Sequence, residues 1–446
     1  VPGRCREACA GRSALHGEEA EDMRNKLGLL CLTLASMATA QEQKAQPPPE
    51  FTSGYAVPNA IAPVARAEIW QWVDIAVLIV VLALGAKAVL ADRSRAQVRL
   101  LSIFSLAYFG FYRLGCVCAI GSVQNVAYAV GHPEYRLPWT VAAMFLIPLA
   151  VALFAGRVFC GTACPMGALQ DLLLVRPVRV PGWISGPLGT IPYLYLGAAV
   201  VYAGLGSAFL ICQADPYVAI FRLSGPTNVV VWGAILLVTG LFVGRPYCRF
   251  LCPYGVLLRW ASLVSKHRVR VSPEECVNCH LCADACPHGA IQPPSDHPQG
   301  RRRSVGISLA ILPILVALFA FGGHLLSPTL ATGDARVLRG LEVLAEKRDP
   351  ALLRAEAWRA QRREPADAIR EARQVQDAFR TWGTGLGAFF GLVIGLRLLA
   401  LSRTSARREY EAEPGACVEC ARCYAACPVP NRARFAHLGN LLEGSS

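Results

Sequence analysis

Eight of the 18 cysteines in this 446-residue chain fall in two copies of one metal-ligand pattern, C-x2-C-x2-C-x3-C-P. The first copy comprises Cys276, Cys279, Cys282 and Cys286, and the second comprises Cys417, Cys420, Cys423 and Cys427. Three closely spaced thiolates wrap one face of a [4Fe–4S] cube, and the proline after the fourth cysteine turns the chain away. The repeated spacing and the prolines favour two iron–sulfur clusters over structural zinc.

The fourth cysteine of each run ligates the other cluster in two-cluster ferredoxins. We therefore predict that the two runs exchange their fourth ligands. Cluster one is assigned Cys276, Cys279, Cys282 and Cys427, and cluster two is assigned Cys417, Cys420, Cys423 and Cys286. Either run alone would leave one cluster a ligand short, and this is a physical reason for the two to pair.

A haem-attachment motif overlaps the first run, because Cys276-Val277-Asn278-Cys279-His280 matches C-x-x-C-H. Haem would leave Cys282 and Cys286 unused. Haem is also attached outside the cytoplasm, whereas the topology predicted below puts this run inside. His280 is therefore interpreted as a loop residue near a cluster.

A second repeat contains four more cysteines. It reads Gly156-Arg157-Val158-Phe159-Cys160-x3-Cys164-Pro165 and Gly244-Arg245-Pro246-Tyr247-Cys248-x3-Cys252-Pro253. The surrounding segments, about 100–175 and 190–262, are predicted to be parallel repeats that meet about an axis along the membrane normal. Such an axis brings Cys160, Cys164, Cys248 and Cys252 together near the inner surface. Four convergent thiolates suit iron or an iron–sulfur centre; the alternative is two structural loops with reduced thiols.

Three cysteines mark the outward ends of the same repeats: Cys116, Cys118 and Cys212. They suit an outer metal site with one further ligand, or a disulfide plus a free thiol at an oxidising face. The hydrocarbon core is about 30 Å thick, too far for one useful electron hop. A relay of cofactors at depth is therefore expected if electrons cross.

Seven stretches have the length and apolarity of membrane spans. They are about 69–91, 98–118, 139–156, 190–212, 228–245, 304–326 and 383–401. Apolar residues make up 54% of the chain and charged residues 17%, against about a quarter charged in soluble domains. We predict a mainly α-helical transmembrane bundle with a split, cytoplasmic, two-cluster ferredoxin-like α+β domain.

Basic residues favour the predicted inner loops, 92–97, 157–189, 246–303 and 402–446, as the positive-inside rule expects. This placement explains the net charge of +13 without nucleic acid. Arg113 lies in a predicted span and marks a quinone headgroup, a cluster or an internal carboxylate. Facing histidine pairs for membrane haem are not expected, because only His324 lies in or near a span.

The predicted organisation begins with an over-extended start and signal peptide at 1–40 and a periplasmic lead-in at 41–68. The transmembrane core with the C-x3-C-P repeats follows at 69–262, and the first ferredoxin half at 263–303. Two spans at 304–401 enclose a periplasmic helical excursion at 327–382. The second ferredoxin half occupies 402–446.

The twin C-x3-C-P motifs and the two cluster-binding runs resemble the NosR/NapH family of membrane polyferredoxins, which includes CcoG-type assembly proteins. The resemblance covers roughly residues 70–440 and is greatest to the NosR branch. It implies electron transfer between the cytoplasmic or quinol side and a periplasmic acceptor in a hetero-oligomeric complex. NosR proteins carry a periplasmic flavin domain where this chain has the segment 41–68, so flavin is expected only in a partner.

The sequence therefore predicts an inner-membrane electron-transfer subunit that works with a periplasmic redox protein or flavoprotein, and with quinol as a possible donor. None of its residues has the pattern of a general acid, base or nucleophile. Two other functions stay open. One is a maturation factor that reduces copper or thiols during assembly of a respiratory enzyme, and the other is a redox-sensing membrane regulator.

Overall fold

The computed structural model describes residues 67–115, 119–178, 180–223, 225–271, 276, 279–294, 302–346, 365–402 and 409–428. These residues are mainly α-helical, with one two-stranded sheet. The helices are α1 (Glu68–Ala86), α2 (Arg95–Ser105), α3 (Ala119–Gly131), α4 (Trp139–Ala155), α5 (Pro165–Leu173), α6 (Gly182–Leu188), α7 (Ile191–Gly204), α8 (Leu210–Ala214), α9 (Pro216–Arg222), α10 (Thr227–Gly240), α11 (Pro246–Phe250), α12 (Pro253–Leu263), α13 (Leu281–Asp284), α14 (Arg302–Ala331), α15 (Ala335–Glu346), α16 (Pro365–Ser402) and α17 (Arg422–Ala426). The strands are β1 (Ile291–Gln292) and β2 (Glu411–Ala412), and π-helical stretches cover Lys87–Ala91, Leu106–Tyr112 and Phe159–Ala163.

Four helical segments are long and apolar enough to cross a membrane: Ile69–Ala91, Gly182–Gly204, Val305–Ala331 and Ala366–Ser402. They correspond to four of the predicted spans. The predicted spans at 139–156 and 228–245 form shorter apolar helices, Trp139–Ala155 and Thr227–Gly240. The stretch predicted at 98–118 begins inside α2, which carries Arg95 and Arg99, and continues into a π-helical stretch. The count of seven spans therefore stays a prediction.

The helical core is built from helices that pack against one another across both halves of the predicted repeat, namely α3, α4, α7 and α12. Elsewhere, an ion pair joins α1 to the end of the second π-helical stretch, where half-buried Arg113 lies 2.7 Å from the buried Asp74 carboxylate. The Tyr108 hydroxyl donates a hydrogen bond of 2.9 Å to the same carboxylate. Of the three partners considered for Arg113, the structure shows the internal carboxylate.

The two longest helices, α14 and α16, form a hairpin between the two cysteine runs. A row of glycines four residues apart faces α14: Gly383, Gly387, Gly391 and Gly395. A Cβ atom at Gly387 would lie 2.0 Å from the Phe319 carbonyl oxygen, and one at Gly391 would lie 2.6 Å from that of Leu315. Small residues let the two backbones approach closely, which stabilises helix pairs in membranes, where the hydrophobic effect between helices is absent.

The two cysteine runs pack into one unit although the hairpin separates them in sequence. Strand β1 follows the first run and pairs antiparallel with β2, which precedes the second run, in the register Ile291↔Ala412 and Gln292↔Glu411. A hydrophobic cluster spans both halves and reaches the end of α1: Ala88, Val89, Val98, Val269, Val271, Ile291, Tyr410, Ala412, Ala421 and Tyr424. Out-and-back passage through α14 and α16 is therefore compatible with pairing of the halves.

The two runs also share a local conformation. Helices α13 and α17 each begin after a residue with left-handed backbone, His280 at φ 60° and Ala421 at φ 59°. Both residues follow the second cysteine of their run. A non-glycine residue with positive φ is uncommon, so its presence at the same position of both runs points to one shared loop geometry.

Several sequence predictions lie outside the described residues. These are the leader at 1–40, most of the lead-in at 41–68, the cysteines Cys116 and Cys118, residues 347–364 of the helical excursion, and residues 429–446 of the second ferredoxin half. The domain boundaries and the cytoplasmic location of the ferredoxin halves stay predictions.

Replacing Gly387 with alanine should destabilise the hairpin, because the new Cβ would overlap the Phe319 carbonyl. Overpacking of this kind costs about 1–3 kcal/mol. Gly385→Ala is the matched control, since a Cβ there meets nothing within 4 Å and alanine is the better helix former. Thermal unfolding of the detergent-solubilised protein measures both. Equal melting temperatures for the two variants would contradict the close approach at Gly387.

Candidate metal centres

The four cysteines predicted to hold cluster two line one cavity. Cys286 of the first run lies there with Cys417, Cys420 and Cys423 of the second. Burial raises the pKa of the Cys423 thiol, and the nearby Cys420 and Cys286 raise it further. The backbone N–H of Ala290 also donates a hydrogen bond of 3.4 Å to Cys286 Sγ. The fourth cysteine of the first run thus lies beside the thiols of the second.

The cysteines predicted to hold cluster one also lie near one another. The pKa of the Cys282 thiol is raised to about 11, chiefly by burial and in part by three neighbouring thiols: Cys279, Cys427 and Cys276. Cys276 is exposed, whereas Cys279, Cys282 and Cys427 are half-buried. The structure therefore brings Cys427 of the second run to the first run, as the exchanged arrangement requires.

The two quartets suit a cluster better than a single ion. Within the described part of the chain, no three His, Cys, Asp or Glu side chains converge closely enough to hold one metal ion. A [4Fe–4S] cube is ligated at four separate iron atoms, so its thiolates stand further apart than those around one zinc ion. The donor set of four cysteines is the one that such cubes use.

His280 ties the two halves together beside the first quartet. Its Nδ1 lies 2.6 Å from the hydroxyl of Tyr410, which belongs to the second half. The two rings meet edge to face, with 5.5 Å between centroids. The structure thus gives His280 a side-chain partner in the other half, in addition to the loop position predicted for it.

The four thiols of the twin C-x3-C-P motifs converge in the structure. Burial raises the pKa of Cys252 well above its ordinary value, and the nearby thiols of Cys248, Cys164 and Cys160 raise it further. Cys160, Cys164 and Cys252 are buried, and Cys248 is half-buried. We call this set the inner quartet. Whether it holds a metal is taken up under Proposed function.

The C-P step explains how each motif presents its second cysteine. Cys164 and Cys252 are the N-cap residues of α5 and α12, and a proline is the first helical residue in each case. Proline suits this position because its missing N–H would have no partner there anyway. The backbone N–H of Gly255 then donates a hydrogen bond of 3.3 Å to Cys252 Sγ. Helix N-termini favour thiolate over thiol.

Gln170 links the two motifs, and nothing in their spacing indicated it. Its amide nitrogen donates to Cys248 Sγ at 3.4 Å, and its amide oxygen accepts a hydrogen bond of 3.0 Å from the backbone N–H of Tyr247. Gln170 belongs to the first motif's helix and is fully buried. One side chain of the first repeat therefore fixes a ligand loop of the second.

Two arginines cross between the motifs in a reciprocal way. Arg157 of the first motif lies against Gly255 of the second, where a Cβ would be 3.5 Å from Arg157 Nη2. Arg245 of the second lies against Gly167 of the first, where a Cβ would be 3.2 Å from Arg245 Nη1. Arg157 Nη2 also donates to Cys160 Sγ at 3.7 Å. Each arginine thus contacts the other motif, as a two-fold relation between the repeats would produce.

Asp171 is the carboxylate on which three arginines meet. Its oxygens lie 2.5 Å from Arg95, 3.1 Å from Arg422 and 3.8 Å from Arg245. Burial alone would raise the pKa of Asp171, but Arg245, Arg422 and Arg95 outweigh burial and hold the pKa well below its usual range. The carboxylate is therefore ionised, and it offsets one of three positive charges, of which that of Arg245 is buried and those of Arg95 and Arg422 are half-buried.

The same network joins the inner quartet to the second ferredoxin run. Arg95 donates a hydrogen bond of 2.7 Å to the Cys420 carbonyl, and Arg245 donates to the Cys160 carbonyl. The guanidinium of Arg157 adds a hydrogen bond of 3.0 Å to the Gly415 carbonyl. We call this contact region, centred on Asp171, the junction.

The junction also contains buried polar atoms that have no hydrogen-bond partner among the described residues. They are Arg157 Nε, Arg245 Nε, Arg422 Nε, His288 Nε2 and Glu419 Oε2. Burial and the charge of Arg245 lower the pKa of His288 to about 3, so the imidazole is neutral. Buried donors are normally satisfied. The N–H groups of the junction lie between the inner quartet and the four cysteines predicted to hold cluster two. Such groups fit the sulfur acceptors of iron–sulfur clusters.

The outer cysteines are only partly described. Cys212 is exposed on α8, and its Sγ would lie 3.9 Å from a Cβ at Gly121 in the first turn of α3. The buried Gln124 accepts hydrogen bonds from the backbone N–H groups of Ile211 (3.0 Å) and Cys212 (3.3 Å). Cys212 therefore lies near the helix that follows Cys118, and an outer metal site stays a prediction.

Asp215 connects this outer end with the inner quartet, and the cysteine spacing does not indicate this contact. Its side chain caps α9 by accepting from the Tyr217 N–H at 2.9 Å. Its second oxygen accepts a hydrogen bond of 2.8 Å from the Tyr247 hydroxyl. Tyr247 immediately precedes Cys248, so the cap of α9 helps to hold the second cysteine motif.

A family model described as a 4Fe-4S binding domain matches the chain twice, at residues 137–185 and 224–272. Each match contains one C-x3-C-P motif. A second model with the same description matches residues 269–292, which hold the first cysteine run. The fold and these matches define a membrane protein with 4Fe–4S binding domains.

The chain is similar to several named proteins. It is 31% identical over 188 residues to the putative electron transport protein YccM of Escherichia coli, covering 38% of this chain and 52% of YccM. Identity to protein NirI of Paracoccus denitrificans is 36% over 166 residues, 34% of this chain and 24% of NirI. Identity to the regulatory protein NosR of Pseudomonas aeruginosa is 31% over 223 residues, 44% of this chain and 29% of NosR.

These relatives are membrane ferredoxin-type proteins, and they confirm the predicted resemblance to the NosR/NapH family. The matched regions span between about a quarter and about half of the relatives' own length. No solved structure matches the chain.

Asp171→Asn should loosen the junction, because one buried and two half-buried guanidinium groups would lose their shared buried carboxylate. Removing one partner of a buried ion pair costs about 3–5 kcal/mol. Hydrogen exchange of residues 409–428 in the full-length protein should rise. Asp377→Asn is the control, since it removes an exposed pair with Arg380, of the kind worth about 0–1 kcal/mol. Unchanged exchange in Asp171→Asn would show that the junction does not depend on this carboxylate.

Proposed function

We propose that this chain is an inner-membrane electron-transfer protein that links a cytoplasmic or quinol-side reductant to a periplasmic acceptor. Electron-transport relatives and 4Fe–4S binding domains support the class of function. When bound, iron–sulfur clusters supply one-electron transfer at potentials that the protein environment sets. The chain's own part is to hold them, to space them and to exclude water from the buried ones.

Two cubes are assigned to the exchanged quartets of the ferredoxin halves. Cys276, Cys279, Cys282 and Cys427 hold the first, and Cys417, Cys420, Cys423 and Cys286 hold the second. The cavity lined by Cys286 together with three cysteines of the second run supports the exchange. It also gives the two halves a reason to pair, beyond the short β1–β2 ladder.

A third centre is assigned to the inner quartet of Cys160, Cys164, Cys248 and Cys252. Of the two kinds predicted, iron and an iron–sulfur cluster, the cluster is favoured, because no three of the described side chains lie close enough for one ion. The observation that carries the proposal is the junction: one network around Asp171 contacts the carbonyl of Cys420 and, through Arg245, that of Cys160. A ferredoxin-type quartet and a membrane quartet thus share one buried set of contacts. This placement suits electron exchange between them.

The cytoplasmic location follows from the positive-inside pattern of the loops. We further assign the outer thiols Cys116, Cys118 and Cys212 to a site facing the periplasmic partner, a redox protein or flavoprotein in a hetero-oligomeric complex. The short path from Cys212 through Asp215 and Tyr247 to Cys248 supports an outer site that lies near the inner one. Anaerobic purification with iron and sulfide counting tests the whole assignment, and material without a cluster would contradict it.

A redox-sensing regulator is the second candidate, because relatives in Pseudomonas aeruginosa and Stutzerimonas stutzeri are named regulatory protein NosR. An electron-transfer protein sustains turnover between a chemical reductant inside vesicles and an acceptor outside. A sensor changes conformation without sustained flow. Continuous electron flux across proteoliposomes therefore distinguishes the two.

Changing Cys286 to serine should perturb the cluster of the second run and spare that of its own run. Electron paramagnetic resonance of the anaerobically purified variant measures both signals. Cys427→Ser is the reciprocal variant and should perturb the cluster of the first run. If each variant altered only the signal of the run to which its cysteine belongs, the exchange of fourth ligands would be contradicted.

The double variant Cys160→Ser with Cys248→Ser should stop transmembrane electron flow and leave both ferredoxin signals intact, because it removes half of the inner quartet. Flow is measured in proteoliposomes with reductant inside and acceptor outside. Electron flow at the wild-type rate would show that these thiols have only a structural role. Loss of the ferredoxin signals in the same variant would show that the inner quartet is needed for folding of the halves instead.

A further inference from the structure

Two arginines lie beside the inner quartet, and each comes from the same position of its motif. Arg157 and Arg245 precede Cys160 and Cys248 by three residues. Arg157 is 6% exposed and Arg245 is 1% exposed. A guanidinium stays charged in proteins, and leaving a buried charge uncompensated is strongly destabilising. Both positions therefore call for nearby negative charge.

Protein carboxylates supply only part of that charge. Asp171 is shared among Arg95, Arg245 and Arg422, so this group of four side chains keeps two net positive charges. Arg157 has its contacts elsewhere, with Nη2 on Cys160 Sγ at 3.7 Å and Nη1 on the Gly415 carbonyl at 3.0 Å, and the Glu419 carboxylate lies within its electrostatic range. Counting Asp171 and Glu419 against the four arginines still leaves two net positive charges.

The cysteine sulfurs would supply the rest once they bind a cluster as thiolates. Arg157 lies within electrostatic range of Cys160, Cys248 and Cys252, and Arg245 lies within range of Cys248, Cys420 and Cys160. Both Nε atoms are buried without a partner among the described residues. Both guanidinium groups thus lie near Cys160 and Cys248, one cysteine of each motif, and each keeps a buried N–H without a partner among the described residues.

Such surroundings have a known electrostatic consequence. Reduction adds a negative charge to a cluster, and burial opposes that addition because water is absent. Net charge, hydrogen bonds to sulfur and solvent exposure set the reduction potential of iron–sulfur centres. Cations and N–H donors fixed beside the sulfurs replace the missing water and favour the reduced form.

We infer that Arg157 and Arg245 set the reduction potential of the centre held by the inner quartet, and keep it high enough to accept electrons from the ferredoxin halves. The inference rests on the proposed function, since it needs a redox centre at the quartet. The inference gives a role to the arginine of the repeated G-R-x-[FY]-C-x3-C-P motif. The spacing of the cysteines alone does not explain why an arginine stands there. These arginines are positioning and tuning residues, because the thiolates remain the ligands.

The test is a redox titration of the full-length protein followed by electron paramagnetic resonance. The signal of the inner centre is first identified as the one that Cys248→Ser removes and Cys423→Ser retains. Arg157→Gln should lower the midpoint potential of this signal by at least about 59 mV. For one electron, this shift corresponds to a tenfold change in the oxidised-to-reduced ratio. Arg157→Lys keeps the charge, so its midpoint potential should lie between those of Arg157→Gln and the wild type.

Arg259→Gln is the matched control. Arg259 occupies the same contact region and pairs with Glu413 at 3.1 Å, but it is about one-third exposed. Its loss should leave the midpoint potential of the inner centre unchanged. Arg245→Gln should lower that potential like Arg157→Gln, and the Arg157 variants carry the test alone if Arg245→Gln fails to fold.

The outcomes separate this inference from the proposed function. A wild-type protein without a signal that depends on Cys248 would contradict the third centre, and the inference with it. A third signal whose potential stays the same in Arg157→Gln and Arg157→Lys would contradict the inference alone. A downward shift of equal size in Arg259→Gln would contradict it too, because it would show a general effect of surface charge.

Discussion

Compensation of buried charge at the junction is the constraint on which the rest of the structure depends. The proposed clusters would gather eight to twelve thiolates at one end of the helical bundle, where charges lose the stabilisation by water on burial. The chain supplies Arg95, Arg157, Arg245 and Arg422, and Asp171 offsets the charge where Arg95, Arg245 and Arg422 meet. Arg157 and Arg245 are themselves buried and would be stabilised in turn by thiolate sulfurs.

This reciprocity explains how a ferredoxin-like unit can be divided by a long helical hairpin. Two short strands and two helices of about one turn bury little apolar surface, and a two-stranded ladder is marginal by itself. The halves gain stability from the hydrophobic cluster that reaches Ala88 and Val89 and from the arginines of the junction, and the proposed sharing of cluster ligands would add to it. The glycine row between α14 and α16 keeps the hairpin narrow, so the second half returns close to the first.

The sequence was sufficient for the features that depend on local spacing. The cysteine runs, the twin motifs and four of the spans could be read from it because ligand spacing and apolar length are properties of contiguous residues. Gln170, Asp171 and the crossing of Arg157 and Arg245 could not, since their roles depend on partners 70 to 260 residues away. The glycine row at Gly383, Gly387, Gly391 and Gly395 was visible at intervals of four and was missed. The span predicted at 98–118 stays a prediction, because α2 is amphipathic and the chain then continues into a π-helical stretch.

The predicted two-fold relation between the repeats raises the question of why the ferredoxin halves dock in one orientation only. Asp171 and Arg259 occupy the same position of the two motifs, seven residues after Cys164 and Cys252. They have opposite charge and bind opposite partners on the second half, Arg422 at 3.1 Å and Glu413 at 3.1 Å. Rotating the ferredoxin unit by half a turn would set Asp171 against Glu413 and Arg259 against Arg422. Like charges across an interface cost several kcal/mol. One charge reversal between otherwise similar repeats is therefore enough to break the symmetry and to fix which run faces the inner quartet.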